Sequence, residues 1–163
     1  MMAIQSLRTD DCVDEVIDKY SNMVYRLALA QMKNKQDAED VFQEVFIRYI
    51  SKLRTFESEE HRKAWLIRVT INRSRSLWAA WFRKTEPLDD SLVAETSVED
   101  DLSEYLELLP QKYRPVIHLF YYEDLSIKQI SEILDAKEST VRTWLTRARS
   151  ILGDKLKGGA TNG

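Results

Sequence analysis

The residues best equipped for chemistry lie between positions 138 and 149, where hydroxyls and guanidiniums recur on one side of a helical period. At about 100° per residue, Val141, Leu145, Ala148 and Leu152 make one narrow apolar stripe. Ser139, Arg142, Thr143, Thr146 and Arg149 fall on the other side. Hydroxyls suit base edges, and guanidiniums suit phosphates. Just upstream, residues 125–134 read as a short amphipathic helix with Ile127, Ile130, Ile133 and Leu134 inward. Two short helices across a tight turn make a helix-turn-helix, which sets the first turns of its second helix into the major groove. That places Glu138, Ser139, Arg142 and Thr143 nearest the bases, with Thr140 and Thr146 completing the set and Arg147 and Arg149 toward the backbone. The competing reading is a small helical bundle with a solvated arginine face. The turn carries Asp135 where glycine is usual, and aspartate tolerates the left-handed conformation better than most residues.

A second concentration of chemistry runs from His61 to Lys84. It holds Arg62, Lys63, Arg68, Arg73, Arg75, Arg83 and Lys84 with no acid, interleaved with Trp65, Trp78, Trp81 and Phe82. Positive charge with aromatic faces is what unstacked or single-stranded nucleic acid requires. Arg68, Asn72 and Arg75 share one face of the helix expected here, and Arg62, Lys63 and Trp78 join them as candidate contacts. Trp65, beside Leu66, reads as core. Trp78 and Trp81 lie about 60° apart on the helical wheel, so each is open to a core or a DNA role. In the preceding helix, Asp40, Gln43, Glu44, Ile47 and Ser51 oppose the apolar stripe. A large hydrophobe such as Ile47 inside a polar face is either an isolated surface residue or a mark of a protein partner.

Catalytic chemistry has little to work with. His61 and His118 are the only imidazoles, and no nucleophile or carboxylate cluster accompanies either, so structural roles are expected of both and no enzyme is expected. Cys12 is the lone cysteine, read as a small half-buried hydrophobe; neither a disulfide nor a metal framework follows from it, and no cofactor is expected. The four glycines, Gly153, Gly158, Gly159 and Gly163, all fall within the last eleven residues, so phosphate cradles and nucleophile elbows are excluded upstream. The start of the chain does not resemble a secretory signal, and no apolar run is long enough to span a bilayer. The expectation is a cytoplasmic protein without membrane insertion.

The elements that must position these residues are helices throughout, an all-α fold. Helical spacing of Val13, Val16, Ile17, Tyr20, Met23, Val24, Leu27 and Ala28 predicts a helix over 12–32. A second helix is predicted over 38–53, with Asp37 as N-cap and Asp40 three residues on, and a third over 62–82 after a polar loop at 55–60. Ser97 and Asp100 mark another start, and Pro115 predicts a bend or a late start in the segment 111–122. Charge divides the chain: residues 1–84 carry a net +3, residues 85–108 a net −9 and residues 109–163 a net +3. The organisation expected is two small helical domains, 1–84 and 98–157, joined by a flexible acidic linker at 85–97 and followed by a flexible tail at 158–163.

Three segments together resemble the extracytoplasmic-function (ECF) group of bacterial sigma factors. Asp37-Ala38-Glu39-Asp40-Val41-Phe42-Gln43-Glu44-Val45-Phe46 resembles the core-polymerase-binding segment of that family. Trp65-Leu66-Ile67-Arg68-Val69-Thr70-Ile71-Asn72 resembles its promoter-melting helix. Leu109-Pro110-Gln111-Lys112-Tyr113-Arg114-Pro115-Val116, followed by residues 126–149, resembles its C-terminal domain. The resemblance implies that Asp40, Gln43, Glu44 and Ile47 dock on the coiled coil of the largest RNA polymerase subunit. It implies that the 55–60 loop and the following helix, with Arg68, Asn72 and Arg75 near the strand, capture and open the −10 element. The helix from Ser139 would read the −35 element as duplex. The charge of the acidic linker further suggests that it disfavours free binding to DNA and threads a basic channel of the polymerase. An anti-sigma partner is a further implication of the resemblance. The rival reading is an autonomous helix-turn-helix regulator with an N-terminal dimerisation or sensor domain, which would bind DNA without polymerase.

Overall fold

A computed structural model describes residues 7–8, 13–32, 34–51, 55–84, 106 and 108–161. Cys12, the acidic linker at 85–97, the helix start at Ser97 and Asp100, and Leu53 lie outside the described residues. Internal contacts divide the chain into two units, Met1–Thr96 and Ser97–Gly163.

The first unit is built from α1 (Val13–Gln31), α2 (Lys35–Ser51) and α3 (Glu59–Lys84). Each pair of these helices is in contact. Their apolar stripes meet in one core, with Tyr20, Val24, Leu27 and Ala28 from α1, Ala38, Val41, Val45 and Tyr49 from α2, and Leu66, Ile67 and Ile71 from α3 all buried. Burying each large aliphatic or aromatic side chain contributes roughly 1.5–3 kcal/mol. Thr70 and Ser74 also face inward, and their hydroxyls donate to Leu66 O and Thr70 O one turn back, at 2.7 and 2.8 Å, so both of these buried hydroxyls are satisfied.

The start of α2 differs from the sequence expectation. Asn34 caps it: its Oδ1 accepts the Asp37 N–H at 2.8 Å, and its Nδ2 donates to Asp37 Oδ2 at 3.0 Å. Asp37 is thus the third residue of the helix rather than its cap. Asparagine and aspartate cap about equally well, so spacing alone did not separate the two. Before α3, β2 (Thr55–Phe56) pairs antiparallel with β1 (Leu7–Arg8). The polar loop expected at 55–60 is therefore a short strand, a bend and the first two residues of α3.

In the second unit the described residues include a 3-10 turn at Gln111–Tyr113, which continues as α4 (Arg114–Ile117) and widens into a π-helical turn over His118–Tyr122. Pro115 sits in the first turn of α4, where its missing N–H has no intrahelical partner to lose, so the late start follows. Helix α5 (Ile127–Leu134) and helix α6 (Glu138–Thr161) complete the unit. Ser126 caps α5 in a reciprocal box: its Oγ accepts the Gln129 N–H at 3.1 Å, and its own N–H donates to Gln129 Oε1 at 2.9 Å. The sole non-glycine residues with positive φ among those described are Asp124 (φ 55°) and Asp135 (φ 53°), each ending a helix. The last helix runs through Gly158 and Gly159 to Thr161, so the tail expected from residue 158 is helical over most of its length.

Candidate protein and nucleic-acid interfaces

On α2, Asp40, Gln43 and Ile47 are exposed as the sequence implied. Ile47 is 60% exposed, and Ile50 beside it is 53% exposed. Ile50 was not foreseen, although at three residues from Ile47 it lies only about 60° away on the wheel. Two neighbouring isoleucines held in water make a small apolar patch rather than an isolated hydrophobe. Glu44 is half-buried, and its carboxylate is shared. Oε1 lies 3.7 Å from Arg48 on the same helix, and Oε2 lies 2.5 Å from Arg73 Nε on α3. Glu44 therefore ties α2 to α3, a role that its helical position did not reveal.

On α3, Arg68, Asn72 and Arg75 are exposed and fall in one row at spacings of four and three residues. Lys63 is half-buried. Two of the candidate DNA contacts, Arg62 and Trp78, are buried. Arg62 is only 4% exposed; its NH1 donates to Glu59 Oε1 at 2.6 Å and its guanidinium lies 5.5 Å from the Phe56 ring centroid. Trp78 is 8% exposed and its indole N–H donates to the Gln31 carbonyl on α1. Both residues hold α3 against the rest of the unit. Trp81, half-buried, meets the Trp78 ring edge-on at 5.9 Å.

Arg62 belongs to a polar clamp around Glu59. The Tyr20 hydroxyl donates to Glu59 Oε2 at 2.6 Å, and Lys19 Nζ lies 3.7 Å from the same oxygen. Burial by itself would raise the Glu59 carboxyl, but the Tyr20 hydrogen bond and the charges of Arg62 and Lys19 outweigh it and hold the group below its ordinary value. Burial, then the bond to Glu59, pushes the Tyr20 hydroxyl up. Beneath the clamp Phe56 is buried, with its ring parallel to that of Tyr49 at 6.2 Å and edge-on to those of Trp65 and His61. Ser58 Oγ accepts the His61 N–H at 3.1 Å, and His61 Nδ1 accepts the Glu57 N–H at 3.0 Å. The turn that leads into α3 is thus fixed from both sides.

In the second unit, Val141, Leu145 and Ala148 are buried, and Glu138, Ser139, Arg142, Thr143, Thr146, Arg147 and Arg149 are exposed, with Thr140 half-buried. This is the division that the helical period implied. Asp135 takes the left-handed conformation at the turn, with the Ala136 N–H closing on Ser131 O at 3.0 Å. The hydroxyls of Thr143 and Thr146 donate to Ser139 O and Arg142 O, at 3.0 and 2.9 Å. Their protons are spent within the helix, so outward they offer acceptor lone pairs and methyl groups. His118 is buried and stacks on Tyr122 at 4.9 Å; its Nε2 stands 3.7 Å from Glu123 Oε2, too far for a hydrogen bond. Among the described residues no group of three or more His, Cys, Asp or Glu side chains could hold a metal ion, and no helix is long and apolar enough to cross a membrane.

A helix-turn-helix with a cationic outer face, in one chain with a three-helix unit that presents both an apolar patch and a cationic row, describes a DNA-binding protein with a protein partner. Comparison with known proteins specifies which. The family Sigma-70 region 2 matches residues 16–83, and Sigma-70, region 4 matches residues 99–152. The chain is 30% identical to the ECF RNA polymerase sigma factor SigW of Bacillus subtilis, over 90% of each chain. It is 31% identical to the RNA polymerase sigma factor SigV of the same organism, over 81% of this chain and 83% of that one. In fold it is similar to the sigma factor RpoE of Bartonella quintana, solved in complex with the anti-sigma factor NepR, with a TM-score of 0.72 at 20% identity over 89% of this chain and 96% of that one. The chain belongs to the ECF group of the sigma-70 family of RNA polymerase sigma factors. The reading as an autonomous regulator is not favoured, because both family regions occur in their order in one chain.

Proposed function

We propose that this sigma factor uses its first unit both to join core RNA polymerase and to open the −10 element, and its second to hold the −35 element. The observation that carries the reading is the separation of faces within the first unit. Asp40, Gln43, Ile47 and Ile50 lie exposed on α2, and Arg68, Asn72 and Arg75 lie exposed on α3. An apolar patch rimmed by polar groups suits the coiled coil of the largest polymerase subunit, and a cationic row suits a strand separating from its partner. In the second unit, Glu138, Ser139, Arg142 and Thr143 would face base edges, and Arg147 and Arg149 would meet phosphates. Residues 1–84 and 98–157 would then act as the two working domains, with the acidic residues 85–97 threading a basic channel of the polymerase. The protein would work in the cytoplasm without catalysing a reaction of its own, and an anti-sigma factor would hold it inactive.

Two weakly basic modules neutralise few phosphates separately, so each binds DNA poorly alone. Held on the polymerase at a fixed separation, each raises the effective concentration of the other. Transcription in vitro with purified core polymerase and promoter fragments tests the reading. Initiation should depend on this chain and be lost when Gln43 and Ile47 are changed together. A chain that never joins core enzyme would overturn it.

A further inference from the structure

In the second unit, Tyr121 is a large aromatic residue left 49% exposed at the end of the π-helical turn. It does not stand alone. Arg149, 28 residues further on in α6, donates its Nε–H to the Tyr121 hydroxyl at 2.5 Å. The Arg149 guanidinium carbon lies 5.4 Å from the Tyr121 ring centroid and 5.6 Å from that of Phe120. The two rings meet edge-on at 5.0 Å. An arginine side chain in water samples many rotamers, and this one is held by a hydrogen bond and two aromatic faces.

The chemistry of the pair is specific. One of the five N–H donors of Arg149 is committed to Tyr121; the others sit on the two terminal amino groups, at an exposed position. The Tyr121 oxygen accepts that bond, so its own proton remains to be donated to a second acceptor. An arginine fork beside a phenol O–H presents several donors and a positive charge to one anion. Base edges offer donors as well as acceptors, whereas a phosphodiester offers acceptors alone. Arg149 lies seven residues beyond Arg142, about 10 Å along the same side of α6, which removes it from the groove-facing first turn.

We propose that Tyr121 and Arg149 together form a binding site for one backbone phosphate of the duplex, with Tyr121 both fixing the guanidinium and donating its own hydrogen bond. The proposal rests on the assignment of the second unit to the −35 duplex. It adds to that assignment a residue outside the helix-turn-helix and a division of labour along α6. Arg142 reads sequence, and the Tyr121–Arg149 pair reads the position of the backbone.

The test uses holoenzyme reconstituted from core polymerase and the full chain, and promoter duplexes carrying a neutral methylphosphonate at one backbone position at a time. Tyr121→Phe keeps the ring and removes the hydroxyl, and should weaken binding by about three- to ten-fold. Arg149→Gln should weaken it further and lower the slope of log K against log salt by about one. In the Arg149→Gln background Tyr121→Phe should still weaken binding, by a smaller factor, because the hydroxyl also donates to the phosphate itself; a Tyr121 that only fixes the guanidinium would add nothing there. One methylphosphonate position should weaken the unaltered holoenzyme most, the Arg149→Gln holoenzyme less, and the holoenzyme carrying both Tyr121→Phe and Arg149→Gln not at all. Equal binding by Tyr121→Phe and the unaltered protein, or methylphosphonate effects identical in all proteins, would overturn the phosphate site. If Arg142→Ala still weakens −35 binding in that case, the assignment of the unit stands and this proposal alone fails. Binding indifferent to both Arg142 and the −35 duplex would overturn the two together.

Discussion

Replacing Arg62 by methionine should damage the fold and spare the promoter. In sequence Arg62 is one cation among seven in a basic stretch, but its side chain is buried and its guanidinium bridges Glu59 and the face of Phe56. Breaking a fully buried ion pair costs roughly 3–5 kcal/mol. The Glu59 side chain is 44% exposed, so water recovers much of that cost on the carboxylate side. Loss of the cation–π contact adds about 0.5–1 kcal/mol, and methionine restores part of the apolar packing of the stem. The balance is a loss of about 2 kcal/mol. Urea denaturation of the full chain should show it, followed by the fluorescence of Trp65, Trp78 and Trp81, all three on α3. Promoter affinity of the assembled holoenzyme, measured where the variant is folded, should stay within about two-fold of the parent. Arg68→Ala and Arg75→Ala should behave in the opposite way, with unchanged urea midpoints and weakened promoter binding. An Arg62→Met protein as stable as its parent but defective in promoter opening would refute the argument from burial.

The same clamp predicts a pH dependence. The Glu59 carboxyl is held below its ordinary value of 4.5, so its contribution is complete above that value and is lost as pH falls through the lower folded value. Glu59→Gln should therefore flatten the acid limb of a stability-versus-pH curve and leave the neutral range parallel to that of the parent. On α2, Ile47→Glu together with Ile50→Glu should abolish assembly with core polymerase, read by gel filtration, without lowering the melting temperature. Ser126→Ala removes one half of the capping box and should destabilise the second unit by about 1 kcal/mol in thermal or urea melts. Asp135→Ala puts an alanine at φ 53° and should cost about 1 kcal/mol, whereas Asp135→Gly should be neutral or stabilising.

The positions of the helices were legible because their apolar residues recur with a period that only a helix satisfies, as Val141, Leu145 and Ala148 illustrate. The outer face of α6 was legible for the same reason. What period alone does not reveal is which amphipathic side chains are drawn inward. Arginine and tryptophan carry apolar bodies and polar ends, so Arg62 and Trp78 read equally well as DNA contacts or as struts, and only the placement of Glu59, Phe56 and Gln31 decides. Long-range partners are silent in sequence for a related reason. Nothing near Tyr121 points to Arg149, and nothing near Glu44 points to Arg73. Asp135 could be suspected of a left-handed conformation because it stands at a turn between two recognisable helices. Asp124 has the same conformation, but the helix before it ends in a π-helical turn with no marker of its own.

On the proposed function, the two units should read a promoter only when polymerase holds them together. Fluorescence anisotropy of a labelled promoter duplex at physiological salt, titrated with this chain alone, core polymerase alone and both, tests it most directly. Promoter-specific binding is expected with both present, and only weak binding by the chain alone that disappears as salt rises. Tight, sequence-specific binding by the chain without polymerase would contradict it.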